Sequence, residues 1–412
     1  MRITLTAERL WTGAETLPHP TVEIEGGQIL SIGRRPSAEP PDPLAGRGFQ
    51  PPASILSEMG ARRVVIEGQE NTHHFPGATL SPAFFDVHFH GAAGHDVMEA
   101  TPEALAAIGA FLARHGTGSY LATTVTAPLD ATLRALSGLA KLIDKPELLK
   151  GDKRRAHPVG IHLEGPFLSH ARKGVQPAEH LLAPDLAVFD RLYEAGEGHV
   201  RMMTLAPELP GAVELAAHAS ARGVRVSMGH SDADTAAARA GAAAGAVSAT
   251  HTFNAMRPLD HREPGILGIA LTEDRLYAEL ICDGIHVAPE MVRLWWRAKG
   301  EQRAILVTDA MSATGMPDGQ YQLGGFAVQV ANGRAMARGV LAGSVLTQDR
   351  ALRNFLEFTG APVEKALRLL TTNPAQMTGL TAPLAAGQPA DLVAVDAHGH
   401  LLAAMIGGRL DG

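Results

Sequence analysis

The chain has 412 residues, of which 45% are hydrophobic and 19% charged, and a formal net charge of −7. That is the composition of a water-exposed globular protein, and its acidic balance argues against a nucleic-acid binder, which would be basic. An anionic ligand would need a local cluster of positive groups. The single cysteine, Cys282, excludes an internal disulfide and fits a reducing compartment. MRITLTAERLWTG lacks a basic-then-apolar leader pattern, and no apolar run nears the roughly 18 residues of a membrane span. A cytoplasmic protein with no membrane partner is expected.

In chain order, ITLTAERLWTG and TVEIEGGQILSIG read as short strands with turns between them. The proline-rich stretch Pro36 to Pro52 is a loop or flexible insertion, after which VVIEG resumes strand character. Eight strand-like runs follow: FFDVHFHG, SYLATTVTA, PVGIHLEG, RMMTLAPE, VRVSMGHS, AVSATHTFN, YAELICDG and AILVTDA. Between most of them lie helical stretches, among them TPEALAAIGAFLARHG, DATLRALSGLAKLID, LAVFDRLYEAGE, AVELAAHASARG and APEMVRLWWRAKG. The alanine-rich run from Thr235, interrupted by Arg239, is also a helix. Alternation of this kind predicts an α/β fold, a (β/α)8 TIM-like barrel. An open doubly wound sheet is the second choice, but no glycine-rich phosphate fingerprint follows the first strand. PLAAGQPADLVAVDAHGHLLAAMIGG returns to strands and turns. Residues 1–80 and 382–412 are therefore expected to form one small β-sandwich domain from both chain ends, with residues 81–381 as the barrel.

Polar residues gather at the C-terminal ends of these runs: His88 and His90, Glu164, His230, His251, Asp283 with His286, and Asp309. Alternate strand side chains share a face, so His88 and His90 point the same way. In a barrel these ends converge on the face that carries active sites. Of these, the four histidines His88, His90, His230 and His251 with the carboxylates Glu164 and Asp309 would make, at one mouth, a divalent metal site of N/O type. Taken singly, Asp309 reads equally as a helix cap, and Glu164 before Gly165-Pro166 as a strand terminator. The joint pattern on separate strands is what favours a metal. His73-His74 are assigned to a polar turn, His115 to a helix end and His218 to a helix interior, while His95 lies near the mouth.

These residues carry a family resemblance. HFH on the first strand, a carboxylate on the third, histidines on the fifth and sixth and aspartate on the eighth resemble the amidohydrolase superfamily. GIHLEGPFLSHARKG, TLAPE, VSMGHSDA, THTFNAMRPLDHREPG, DGIHV, LVTDAMSATG, GVLAGSVLT and TTNPAQMTGL are similar to the N-acetylglucosamine-6-phosphate deacetylase family within it. The resemblance runs in order from about Leu80 to Leu380, and THTFNAM with REPG downstream is its most specific part.

The resemblance implies metal-dependent hydrolysis of the acetamide of N-acetylglucosamine 6-phosphate, giving glucosamine 6-phosphate and acetate. Attack would be by metal-bound hydroxide, with Asp309 as general acid/base. Glu164, His230 and His251 would bind the principal ion, and His88 and His90 a second one bridged through Glu164. The cofactor would be one or two divalent ions per chain: zinc, iron, manganese or cobalt. His286 would meet the acetamide carbonyl. Asn254, Ala255 and Arg262 would hold the sugar phosphate, with Arg262 reaching into the neighbouring subunit of a homodimer. Gln176 stands where some members have a histidine near the sugar, which bears on sugar preference. No lysine is evident for the carbamylated metal bridge of many amidohydrolases, and Glu164 is its natural substitute. The alternatives are a deacetylase of N-acetylgalactosamine 6-phosphate or of another N-acyl amino sugar, a cyclic-amide amidohydrolase, and a non-catalytic barrel scaffold.

Overall fold

The computed structural model describes residues 2–34, 64–65, 71–149, 151, 154–380 and 384–411. The proline-rich stretch Pro36 to Pro52 lies outside the described residues.

All eight expected strands form. They are β1 (Phe84–Phe89), β2 (Thr117–Thr124), β3 (His157–Glu164), β4 (Val200–Leu205), β5 (Arg225–Met228), β6 (Ala246–Ala249), β7 (Tyr277–Ile281) and β8 (Ala304–Val307). They pair in parallel in chain order. Past the end of β8, a parallel bridge between Phe89 and Ala310 and the hydrogen bond from Asp309 N to His88 O at 2.9 Å bring the last strand back to the first. Strands buried on both faces need near-continuous apolar runs, which is how they read in sequence.

The helices include α1 (Pro102–Arg114), α2 (Leu129–Asp144), α3 (Leu186–Ala195), α4 (Ala212–Ala221), α5 (Thr235–Ala243), α6 (Gly265–Thr272), α7 (Pro289–Arg303) and α8 (Gln348–Thr359), with two shorter ones, Val363–Leu370 and Thr372–Thr378, after it. Local chemistry sets several of their starts. Thr101, Asp185 and Asp234 accept from the Ala104, Val188 and Ala237 amides at 3.2, 2.9 and 2.8 Å, satisfying amides that the helix leaves free. Helices α6 and α8 were not among the expected ones, nor was a four-stranded antiparallel sheet over Gly319–Leu323, Phe326–Ala331, Arg334–Ala337 and Val340–Leu341. That sheet is inserted between β8 and α8.

Strands from both chain ends share a third sheet. Arg2–Trp11 pairs in parallel with Thr72–Pro82, which pairs antiparallel with Leu392–Val395. The sheet curls until its far parts meet: Ala390 N donates to Gly27 O at 2.9 Å and Ile29 N to Gln388 O at 2.9 Å. Between them it encloses an apolar core containing Leu5, Val22, Ile24, Phe75, Leu392 and Met405. His73 and His74 lie within the strand Thr72–Pro82, not in a turn as the sequence reading had them. The hydrogen-bonding demand of a long strand, paired on both sides here, outweighs the polarity of two adjacent histidines. Among the described residues no helix is long and apolar enough to cross a membrane.

Candidate metal and substrate site

The barrel brings six of the expected residues together. Ligand atoms of His88, His90, Glu164, His230, His251 and Asp309 form three overlapping triads, each within 4.8 Å: His88–His90–Glu164, His88–His251–Asp309 and Glu164–His230–His251. Glu164 stands at the centre. Its Oε1 is 3.1 Å from Nε2 of both His230 and His251 and 3.4 Å from that of His88. Its Oε2 is 3.5 Å from His90 Nε2. Asp309 Oδ1 lies 3.1 Å from His90 Nε2 and 3.7 Å from His88 Nε2.

One local device sets three of the six. β5, β6 and β8 each stop two residues before His230, His251 and Asp309, whose φ angles are 46, 29 and 51°. A non-glycine residue in the left-handed region costs on the order of 1–3 kcal/mol and persists only where its surroundings over-determine it. Here they do. Asp309 N donates to His88 O at 2.9 Å and Asp309 O accepts from Ser344 N at 2.7 Å; His230 O accepts from Ser169 N at 2.9 Å. The reversal turns each side chain from the barrel wall toward the centre.

The far sides of the imidazoles fix their orientation. His90 Nδ1 is 3.0 Å from Thr123 O, and His230 Nδ1 is 3.1 Å from Arg172 O. A carbonyl only accepts, so both rings carry hydrogen on Nδ1 and turn Nε2 toward the carboxylates, where it would give up any proton to offer its lone pair to an ion. The Nε2 atoms of His230 and His251 are 3.1 Å apart, and those of His88 and His90 3.3 Å. Ring nitrogens that close together, with two carboxylates beside them, can share one cation in place of their protons. Buried imidazoles and carboxylates in this arrangement are a fitting donor set for a divalent ion.

The charges agree. Burial pushes the Glu164 carboxyl up, but His88, His230 and the hydrogen bonds of His230 and His251 outweigh it and hold the group well below the usual carboxylate range. Asp309 is likewise lowered, its burial outweighed by the His90 hydrogen bond and the charges of His88 and His90. Against their own burial, His88 is raised well above the ordinary histidine value by Glu164, Glu279 and Asp309, and His90 is raised by Asp309 and Glu164. The site draws positive charge.

Several buried polar residues around this cluster escaped the sequence reading. Glu279, on β7, has its Oε2 3.5 Å from His88 Nδ1. His162, two residues before Glu164 on β3, bonds Thr204 Oγ1 at 2.8 Å through Nε2, and burial pushes it well below the ordinary value. Asp86 accepts from Thr308 Oγ1 at 2.5 Å, and burial raises its carboxyl to about 6. Each is a polar residue inside an otherwise apolar strand, a signal that was available.

Above the cluster opens a cavity of about 260 Å³. Gln176, Asn254, Ala255 and His286 line it beside the metal-competent floor, and Leu323, Val340 and Leu341 bring an apolar rim from the inserted sheet. His88 lies deeper, fully buried. His286 Nδ1 lies 2.7 Å from Asp283 Oδ2, leaving Nε2 for the cavity. Asp283 also accepts from the Ile285 and His286 amides, both at 2.8 Å. Both ends of the Gln176 amide are engaged by the protein: Nε2 donates to Glu164 Oε2 at 2.7 Å and Oε1 accepts from Thr126 N at 2.9 Å.

Arg262 is not at the cavity of its own chain; it is exposed, on the loop where Asp260 Oδ1 accepts its amide at 2.8 Å. His95 faces Glu99, with Nδ1 3.1 Å from Oε2, and does not line the cavity. His115 caps α1 beside Asp349, and His218 lies within α4 against Asp190. No lysine is among the residues lining the cavity.

The amidohydrolase family model matches residues 79–411. The chain is 39% identical to the N-acetylglucosamine-6-phosphate deacetylase of Lysinibacillus sphaericus, over 81% of this chain and 86% of that protein. It is also 39% identical to the N-acetylgalactosamine-6-phosphate deacetylase of Escherichia coli O157:H7, over 80% and 87%. Among solved structures it is similar to the Mycobacterium smegmatis N-acetyl-D-glucosamine-6-phosphate deacetylase, a point mutant in complex with N-acetyl-D-glucosamine-6-phosphate, with a TM-score of 0.84, 36% identity and 99% of each chain covered. The chain belongs to the amidohydrolase family, whose members are metal-dependent hydrolases.

Proposed function

We propose that the chain hydrolyses the acetamide of N-acetylglucosamine 6-phosphate, releasing acetate and glucosamine 6-phosphate. The observation that supports this reading best is the Asp309 carboxylate, held ionised at the edge of a buried His/Glu cluster that floors a sugar-sized cavity. Glu164, His230 and His251 would hold the principal divalent ion, and His88 and His90, with Glu164 shared, a second. A bound divalent ion supplies Lewis acidity, polarising the amide carbonyl and acidifying water.

The chain's own groups carry the rest. Asp309 accepts a proton from the attacking water and returns it to the amine nitrogen as the C–N bond breaks. His286, oriented by Asp283, donates from Nε2 toward the carbonyl oxygen. Burial raises the Asp283 carboxyl, but its hydrogen bonds and the neighbouring His286 bring it below the usual range, so Asp283 stays ionised behind the ring. Val125, Leu323, Val340 and Leu341 limit water around the reacting bond.

The phosphate is assigned to Asn254, Ala255 and Arg262. Arg262 is exposed on a loop that also exposes Leu259 to 47%, a combination suited to insertion into a second copy, so a homodimer with shared sites is proposed. The chain is read as two domains, residues 81–381 as the barrel and residues 1–80 with 382–412 as the smaller one, with the cytoplasm as its compartment.

A second reading, action on N-acetylgalactosamine 6-phosphate, is kept beside it because a relative of that name is as similar, at 39% identity. Rates on both 6-phosphates and on both unphosphorylated sugars test the proposal. A kcat/KM highest for N-acetylglucosamine 6-phosphate supports it. Preference for the galacto isomer selects the second reading, and no turnover of any of the four refutes both.

A further inference from the structure

We infer that Glu279 is the positioning residue for the His88 half of the metal centre, acting through the back of the His88 ring. Glu279 sits in the middle of β7, in the sequence YAELI, and is fully buried. A buried carboxylate costs several kcal/mol unless it is paired and hydrogen-bonded, so it does not serve as packing. Its two oxygens have defined surroundings. Oε1 accepts from Ser248 Oγ on β6 at 3.0 Å, and Oε2 faces His88 Nδ1 on β1 at 3.5 Å. Among the described residues neither Oε2 nor His88 Nδ1 has another hydrogen-bond partner, although both are buried. Two such atoms facing each other complete one another, since buried polar groups are almost always satisfied.

The consequence is chemical. An acceptor-only carboxylate behind Nδ1 keeps a ring hydrogen there and leaves Nε2 on the cluster side, 3.4 and 3.7 Å from Glu164 and Asp309, as the nitrogen that would ligate an ion. His90 and His230 are oriented by neutral backbone carbonyls instead. Of these three, His88 is the one with a carboxylate rather than a carbonyl at Nδ1, which raises ligand basicity as well as fixing the ring. Glu279 therefore strengthens the His88/His90 position selectively, while Glu164, His230 and His251 hold their ion without it.

This inference rests on the two-ion reading, and the test separates the two. Full-length protein stripped with chelator is titrated with cobalt(II), and the two equivalents are followed by their visible absorption and by equilibrium dialysis, without substrate. Wild type should bind two ions. Glu279→Gln should bind the first as wild type does and the second about 10- to 100-fold more weakly, the usual effect of removing such a partner. Ser248→Ala, which keeps the carboxylate but frees it, should weaken only the second equivalent, and by less. The ratio of the two affinities within one protein is insensitive to a general loss of folding. Equal weakening of both equivalents, or an unchanged second one, overturns the role of Glu279. A wild-type chain that takes up a single ion overturns the two-ion reading before any variant is made.

Discussion

Gln176 and Glu164 are joined side chain to side chain, Gln176 Nε2 donating to Glu164 Oε2 at 2.7 Å, both residues buried at the head of the barrel. The other end of the same amide accepts from Thr126 N at 2.9 Å, so Gln176 ties the central carboxylate to the loop after β2. Gln176→Leu leaves a buried amide and one carboxylate lone pair unmatched, at a cost of about 1–3 kcal/mol of stability. Metal content after dialysis should fall, with kcat lowered about 10- to 100-fold and KM for the sugar phosphate changed much less. A rise confined to KM would mean that Gln176 meets the sugar instead.

Asp309→Asn keeps the size of the side chain and removes its charge. Turnover should fall by about 10²- to 10⁴-fold, the range for a lost general acid/base, while cobalt uptake and the melting temperature stay near wild type. Single-turnover acetate release measures it. Retained turnover would move the proton transfer to another group.

The exposed position of Arg262 gives the dimer reading a kinetic consequence. Arg262→Ala should raise KM about 10- to 100-fold for the 6-phosphate and leave the unphosphorylated sugar nearly unchanged, because a charge-assisted contact of about 1.5–3 kcal/mol is lost only with the phosphate present. Steady-state kinetics on the matched pair checks it. Mixing Arg262→Ala with Asp309→Asn chains should restore part of the activity in hybrid dimers.

Lys299 supplies a pH signature remote from the cluster. It is 7% exposed on α7 and donates to Glu273 O at 2.9 Å. Burial lowers its pKa from 10.5 to about 8, against the partial opposing pull of the Asp274 charge. Between about 8 and 10.5 the unfolded chain keeps a proton that the folded chain has released, so stability rises with pH in that window. Below it the penalty of the buried ammonium is present in full. In Lys299→Met, melting temperature relative to wild type should be higher at pH 7 than at pH 10; parallel profiles would remove Lys299 from the account.

The strands were legible because a parallel barrel buries both of their faces, so each reads as an apolar run ending in its functional residue. His88, Glu164, His230, His251 and Asp309 stood out as polar residues at the ends of such runs. Glu279 did not, because it lies inside its strand and belongs to no motif; a carboxylate in the apolar stretch YAELI was the available sign. GILGIALT, now α6, is buried along almost its whole length and lacks the polar face that distinguishes a short helix from a strand. QDRALRNFLEFT, now α8, buries Ala351, Leu352, Phe355 and Leu356 on one side, a helical spacing that was overlooked. The left-handed backbone at His230, His251 and Asp309 has no sequence mark, since it is imposed by hydrogen bonds from distant segments.

The most direct measurement is release of acetate and of free amine from N-acetylglucosamine 6-phosphate by the metal-loaded chain, before chelation, after it, and after a divalent ion is restored. The account predicts equal amounts of the two products, loss of both on chelation and recovery with the ion. No release by the loaded chain, or release that persists unchanged in the stripped protein, would contradict it.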